Sequence, residues 1–411
     1  MKIRILTAGS RGDIDPFLAL AVGLQQAGHE VAMWVPPIFE PRVTKRGIPY
    51  AAPQGGGQDF AAIQPSQENA LKMLQDDGRQ ALGEMLEATW LACQDAEALI
   101  YHATVISGPH IAEKLGIPRF AAIQPPILTP TGAFPCPLSL KPAGDAAGNR
   151  ASYREVLDLL AAPVRELVDQ WRVDSLGLPP RRPEDHPFLA ADGLACPVMY
   201  CCSPLLVPRP GDWPENTLAT GFWLLPGSPT WQPSFALLDF LAQGPPPVYV
   251  GFGSMAGGDA KALADTVVEA LAVTGQRGVL ASGWGGLEPG SIDSRDVFVV
   301  REVPHEWLFP QMAAVVHHGG ASTTGAGLRA GKPTVICPFR GDQPFWGRRV
   351  HDLGAGPEPI PRHQITAENL AAAIQAAAGD PGMARQAAGL GEQLRREDGV
   401  ANAVAFIGAH L

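Results

Sequence analysis

The chain opens on a short apolar run, Ile3-Arg4-Ile5-Leu6-Thr7, followed by a small-residue turn from Gly9 to Gly12. Apolar positions at helical spacing follow from Pro16 to Ala27, and a second apolar run extends from Val31 to Val35. Apolar runs this short, bounded by turn residues, read as strands covered on both faces. Strand, turn, helix, strand is a βαβ unit, so the opening predicts a parallel sheet. Further strands are expected at Ala98 to Tyr101 and Arg119 to Ile123, each tied to a helical stretch. A second series begins at Val248-Tyr249-Val250 and continues at Gly278 to Ala281, Val297 to Val300, Ala314 to His317 and Thr334 to Cys337.

Between the two series, residues 206–247 are rich in proline and tryptophan and hold one helical island, Phe235 to Ala242, which reads as an interdomain linker. The expected division is an N-terminal domain over 1–205, the linker, a C-terminal domain over 248–395 and a last apolar helix over 396–411. Two segments break the alternation: Gln54 to Arg79, and Pro125 to Arg150, the latter dense in Pro, Gly and Ala. Long irregular segments in compact domains often carry function, and these two are assigned to a pocket for an apolar ligand, a plain surface loop being the other reading.

Length and composition agree with two α/β domains. A chain of 411 residues exceeds what one core supports, and its 46% hydrophobic content fills two. A net charge of −10 disfavours a nucleic-acid partner. Cys93, Cys136, Cys196, Cys201, Cys202 and Cys337 show neither CxxC pairing nor His-interleaved metal spacing, so free and mostly buried thiols in a reducing compartment are expected. The start, MKIRILTAGSRGD, reads as a buried strand and not as a signal peptide. No apolar stretch reaches spanning length, which predicts a cytoplasmic protein and leaves room for a weak membrane-surface contact.

The strongest chemical signal is Ala314-Val315-Val316-His317-His318-Gly319-Gly320-Ala321-Ser322-Thr323-Thr324, a strand ending in histidines and a small-residue turn into a helix. Close-approaching glycines, free helix N–H groups and hydroxyl donors suit an anion, and a diphosphate fits the pattern; an ordinary Ser- or Thr-capped turn would look similar. Beyond the next strand, Asp342-Gln343 offers acceptors and donors to adjacent sugar hydroxyls, or caps a turn. Asp13, in Gly9-Ser10-Arg11-Gly12-Asp13, follows the first strand at the sheet edge where ligands bind; its carboxylate could accept a proton or serve only as a cap. Gly251-Phe252-Gly253-Ser254-Met255-Ala256-Gly257 has one residue too many for a dinucleotide fingerprint, so a dehydrogenase is a weak reading. His29, His102 and His110 are expected to be structural.

Taken together, GSRGDIDPF, GFGSM at 251–255, DWPENTLATGFW at 212–223, VPHEWLFPQ at 303–311 and HHGGASTTGAGLRAGKPTVICPFRGDQPFW at 317–346 resemble the UDP-glycosyltransferase family. They are closest to its sterol glucosyltransferases and to the glycosyltransferases of glycopeptide antibiotics. The resemblance implies a GT-B fold of two facing Rossmann-like domains with a cleft between them, the last helix returning to the first domain. It implies Asp13 as general base, Ser254, His317, Gly319, Gly320, Ser322 and Thr323 at the diphosphate, and Asp342 with Gln343 on the hexose. Gln124, Pro125 and Phe134 are expected at the acceptor.

Two features depart from the plant members, in which a base histidine is oriented by a distant aspartate and a tryptophan stacks on the uracil. Here Asp13 stands alone, and Glu302 precedes Val303-Pro304-His305 where that tryptophan would be, so Trp284 or the Val303 backbone is assigned to the base. The implied activity is metal-independent, inverting transfer of a hexose, glucose from UDP-glucose, to a hydroxyl of a lipophilic acceptor such as a sterol, triterpenoid or polyketide, without a cofactor. A TDP-deoxysugar enzyme acting on an antibiotic aglycone is the alternative, and a non-catalytic binding protein of the same fold is the third reading.

Overall fold

The computed structural model describes residues 1–51, 76–139, 141–142, 144–182, 196–227, 231–253, 260–283, 287 and 295–411. The chain forms two compact units, Met1–Leu225 with Asp398–Leu411, and Pro226–Glu397.

In the first unit six parallel strands stand in the order β2-β1-β3-β4-β5-β6. They are β1 Lys2–Leu6, β2 Glu30–Trp34, β3 Ala98–His102, β4 Arg119–Ile123, β5 Val198–Tyr200 and β6 Thr217–Ala219. Helices α1 Arg11–Gln26, α2 Glu40–Thr44, α3 Asp76–Ala92, α4 Gly108–Leu115, α5 Ala146–Ala161 and α6 Arg165–Asp174 connect them. Both faces of the sheet are covered, so β3 is buried at every residue rather than at alternate ones.

Helix α1 starts earlier than the apolar pattern suggests. Ser10 is its N-cap, and Ser10 and Asp13 form a capping box, which sets the first turn at Arg11 and leaves Pro16 inside the helix. Phe17, Leu18, Leu20 and Leu24 of α1 enter one core with Ile3, Ile5, Val31 and Met33. Ala403, Phe406 and Ile407 of the last helix, Gly399–Gly408, complete that core. A Cβ on Gly399 would lie 2.5 Å from the backbone carbon of Gly221, so glycine is required for this approach. Asn402 Nδ2 donates to Thr220 O over 2.9 Å beside it.

The stretch 206–247 contains the boundary between the units, but much of it belongs to the units themselves. β6 pairs in parallel with β5, Val198 opposite Thr217, and the unit boundary falls after Leu225. Proline density there reflects turns around an edge strand, where a missing N–H is tolerated. The irregular segment after Pro125 is also shorter than expected, because Asp145 accepts from Gly148 N over 2.7 Å and starts α5 at Ala146. Of the segment Gln54 to Arg79, residues 54–75 lie outside the described residues.

The second unit has five parallel strands in the order β11-β10-β7-β8-β9. They are β7 Val248–Gly251, β8 Gly278–Ala281, β9 Val297–Val300, β10 Val315–His317 and β11 Thr334–Ile336. Its helices are α7 Phe235–Ala242, α8 Ala260–Thr274, α9 His305–Leu308, α10 Ala321–Arg329, α11 Gln343–Asp352, α12 Ala367–Gly379 and α13 Pro381–Arg395. Helix α7, the island of the expected linker, packs Leu237 and Phe240 into a cluster with Tyr249 and Val279 of this sheet.

Each sheet has one point where the chain order reverses. The chain leaves β1 for β2 on one side and later enters β3 on the other, and β7 is likewise flanked by β8 and β10. The crevice at the carboxyl ends of such strands is where open α/β sheets bind ligands. All six cysteines are buried and none is in a disulfide. Among the described residues no helix is long and apolar enough to cross a membrane.

Candidate active site

In the first unit, Asp13 and His102 meet at the switch point between β1 and β3. Asp13 sits in the first turn of α1, and His102 is the last residue of β3. His102 Nε2 lies 3.8 Å from Asp13 Oδ1. Asp13 Oδ2 is already occupied, accepting from Ser10 N over 2.7 Å and from Ser10 Oγ over 2.9 Å. Gly9, at φ +128°, makes this cap possible, because a Cβ there would stand 2.5 Å from Asp13 Oδ2. Asp13 therefore does not stand alone, and His102 is not simply a core histidine. Sequence reasoning missed the pair because only the strand order brings the ends of β1 and β3 together.

The exposures separate the roles of the two groups. The His102 side chain is 3% exposed and that of Asp13 is 27% exposed, so of the two the carboxylate is the one open to solvent. Burial pushes the His102 pKa down, while the Asp13 charge and a hydrogen bond to Gln124 pull it up. The His102 ring also meets the edge of Phe17, centroids 5.4 Å apart.

Gln124, expected to touch the acceptor, is 5% exposed and committed to the protein. Its Nε2 donates to Gly12 O over 3.0 Å and its Oε1 lies 3.2 Å from His102 Nε2. A side-chain amide used at both ends holds the site together instead of reading a ligand. Pro125, buried, and Phe134, half-buried, sit in the loop that follows β4.

In the second unit the turn after β10 stands at the other switch point. Gly319 has φ +91°, a left-handed conformation that its neighbours also demand, since a Cβ there would come within 2.7 Å of Ile336 Cγ2. Gly320 is the N-cap of α10 and has no side chain to satisfy the first N–H groups. Ser322 and Thr323 lie in that first turn, half-buried. Uncapped amides at a helix start carry positive potential and suit an anion.

The two histidines of this turn differ. His317 is fully buried, because strand alternation turns it to the face of Val315 and the Tyr249 cluster. Its Nδ1 accepts from Gly319 N over 2.9 Å, so it braces the turn from inside. Burial holds its pKa well below the ordinary value, with His318 and His305 adding to the effect. His318 points the other way and is the partly exposed ring. A Cβ on Gly253 would lie 3.5 Å from His318 Cε1, which places the ring beside the end of β7. Burial and then the Arg340 charge lower the His318 pKa to about 4.

Asp342 and Gln343 are partly spent on their own loop. Gln343 is 7% exposed, and its Oε1 accepts from Phe339 N over 2.7 Å and Arg340 N over 3.1 Å. Asp342 Oδ2 accepts from Trp346 Nε1 over 2.6 Å. The Gln343 oxygen is thus unavailable to a sugar. The loop nevertheless borders the turn after β10, since a Cβ on Gly319 would be 3.2 Å from Gln343 O. Val303 is half-buried against the Tyr249 cluster, and Ser254 and Trp284 lie outside the described residues.

Comparison with known proteins agrees with this organisation. The family model described as "Glycosyltransferase family 28 N-terminal domain" matches residues 3–127, and that described as "Erythromycin biosynthesis protein CIII-like, C-terminal domain" matches 291–402. A sterol 3-beta-glucosyltransferase of Arabidopsis thaliana is 36% identical over 427 residues, covering 100% of this chain and 68% of the relative. One from Emericella nidulans is 36% identical over 430 residues, covering 99% of this chain and 30% of the relative. The chain thus spans about two thirds of the plant relative and less than a third of the fungal one.

Among solved structures, the glycotransferase of kitacinnamycin superposes with a TM-score of 0.74 at 22% identity, covering 100% of this chain and 98% of that one. Spinosyn forosaminyltransferase gives 0.69 at 16% identity, with 100% and 98% covered. These likenesses establish the fold, two parallel-sheet α/β domains of the GT-B type. With its switch-point carboxylate, its uncapped helix turn and its 36% identity to the plant enzyme over 427 residues, the chain belongs to the glycosyltransferase family that contains the sterol 3-beta-glucosyltransferases.

Proposed function

We propose that this glycosyltransferase moves glucose from UDP-glucose to the hydroxyl of a sterol or similar lipophilic acceptor, in the cytoplasm, with inversion and without a metal. The names of its 36%-identical relatives support the sugar and the acceptor class. The observation that carries the chemistry is Asp13: one carboxylate oxygen is held by Ser10, the other lies 3.8 Å from His102 at the sheet edge, and the side chain as a whole is 27% exposed.

In this reading Asp13 takes the acceptor proton as the acceptor oxygen attacks the anomeric carbon. The bond from that carbon to the diphosphate breaks with its electron pair on the phosphate. General-base assistance of this kind contributes roughly 10²–10⁴ in rate. The first N–H groups of α10, with His318 beside them, supply fixed donors for the departing charge. Val303, Ser254 and Trp284 are assigned to the nucleotide, and Pro125 and Phe134 to the acceptor. Asp342 is assigned to the sugar. Because two neighbours in fold are described in complex with thymidine diphosphate, a TDP-deoxysugar is the second donor to try.

The test is turnover of purified protein with UDP-glucose and a sterol, with and without EDTA, and the same assay on Asp13→Asn. Asp13→Asn should fold, bind UDP and lose at least about a hundredfold in kcat. Near-native turnover in that variant would remove Asp13 from the mechanism, and inhibition by EDTA would remove the metal-free reading.

A further inference from the structure

Resting on Asp13 as the base, we propose that His102 is a positioning residue: its Nε2–H tautomer fixes a neutral ring edge beside the Asp13 carboxylate so that Oδ1 alone takes the acceptor proton, and Pro16 and Gln124 set that tautomer. The argument begins in the backbone of α1. Pro16 lies inside the helix and has no N–H, so the carbonyl four residues earlier, Gly12 O, loses its helical partner. Gln124 Nε2 donates to that carbonyl over 3.0 Å. A carbonyl only accepts, so the amide orientation is decided, and Gln124 Oε1 must be the atom 3.2 Å from His102 Nε2. That oxygen also only accepts, and Nε2 therefore bears the proton.

The other ring nitrogen gives the same answer independently. Thr104 N, which can only donate, points at His102 Nδ1 over 3.3 Å, and Thr104 Oγ1, 2.6 Å from it, has only a long alternative acceptor in Ala8 O at 3.5 Å. Nδ1 is therefore the acceptor. The ring is locked by these contacts and by the edge of Phe17, and burial favours its neutral form.

A protonated Nε2 facing Asp13 Oδ1 across 3.8 Å has two consequences. The N–H is given to Gln124 Oε1, so the ring stands 3.8 Å from Oδ1 as a fixed neutral edge beside the carboxylate and not as its hydrogen-bond donor, while Ser10 fills Oδ2. And because Nε2 already holds a proton, His102 does not act as a second base. The acceptor proton goes to Oδ1 and stays there until release, as the acceptor oxygen uses its pair to bond the anomeric carbon and the diphosphate leaves with the pair of the broken bond.

Nitrogen-15 NMR of histidine-labelled full-length protein reads the tautomer directly, with the His102 signals assigned by their loss in His102→Gln. The expected result is Nε2–H in the wild type, with the signature shifted toward a tautomer mixture in Gln124→Leu and in Pro16→Ala, whose new N–H competes for Gly12 O. In steady state, His102→Phe should lower kcat roughly ten- to a hundredfold with KM for UDP-glucose unchanged. His102→Gln, whose amide nitrogen reaches the place of Nε2, should recover most of that loss. An Nδ1–H tautomer in the wild type, a native kcat in His102→Phe, or equal losses in the Phe and Gln variants would overturn the proposal. Failure of the underlying base reading is seen separately, as native turnover in Asp13→Asn, and should His102→Phe not fold, the wild-type tautomer still decides.

Discussion

Gly9→Ala tests whether the turn before α1 is built around the base. Gly9 sits at φ +128°, where an L-residue is strained, and an added Cβ would stand 2.5 Å from Asp13 Oδ2 and 2.9 Å from its Cγ. The strain costs about 1–3 kcal/mol, and turning Asp13 aside to relieve the clash forfeits a cap worth about 1 kcal/mol, so a total of roughly 2–4 kcal/mol is expected. The two parts separate in a double-mutant cycle with Asp13→Ala, read by urea unfolding. In the Asp13→Ala background there is no carboxylate to displace and the Asp13 half of the capping box is already gone, so Gly9→Ala should cost about 1 kcal/mol less there. Turnover of Gly9→Ala should fall toward that of Asp13→Asn, because the same displacement moves Oδ1. A variant within about 0.5 kcal/mol of wild type with native turnover would refute the claim that Gly9 and Asp13 are one device.

Three further outcomes are expected. His318→Ala should weaken UDP binding by calorimetry with little change in melting temperature. His317→Ala should do the reverse, losing about 1–3 kcal/mol of stability by removing the acceptor for Gly319 N–H and a packed ring; the opposite ordering would restore His317 as the ligand-facing ring. His318 ionises near 6.5 when unfolded and at about 4 when folded. The unfolded chain therefore binds the extra proton first, and stability should be full above that window and decline as pH falls through it; His317 acts in the same direction. His318→Asn should flatten the decline, and an unchanged slope would show the ring is not held neutral. Gly399→Ala places a methyl 2.5 Å from the backbone of Gly221 and Phe222, which should cost about 1–3 kcal/mol and expose the last helix to limited proteolysis; a native digestion pattern would argue against that close packing.

The sequence by itself determined the class of each unit, because short apolar runs alternating with helical periodicity have few solutions other than a parallel sheet with helices on both faces. It also located Asp13 and the turn after His317 at strand ends, since Gly9, Gly319 and Gly320 mark backbone that must turn or approach closely. Motif order alone named the family. What it could not decide was everything that depends on which strand lies beside which, or on which way a side chain turns. His102 is remote from Asp13 along the chain and becomes its partner only because β3 enters the sheet on the other side of β1 from β2. His317 and His318 are the same residue type at adjacent positions, and only the alternation of a placed strand turns one into the core and the other outward. Gln124 reads as a polar residue at a strand end, fit to meet an acceptor, until the carbonyl left free by Pro16 claims its amide. The stretch around β6 reads as a linker because an edge strand tolerates prolines that an interior strand would not, and only pairing with β5 reveals it. Local pattern determines elements because backbone and burial act over a few residues; partners are decided by contacts between residues far apart in the chain, which only the tertiary fold supplies.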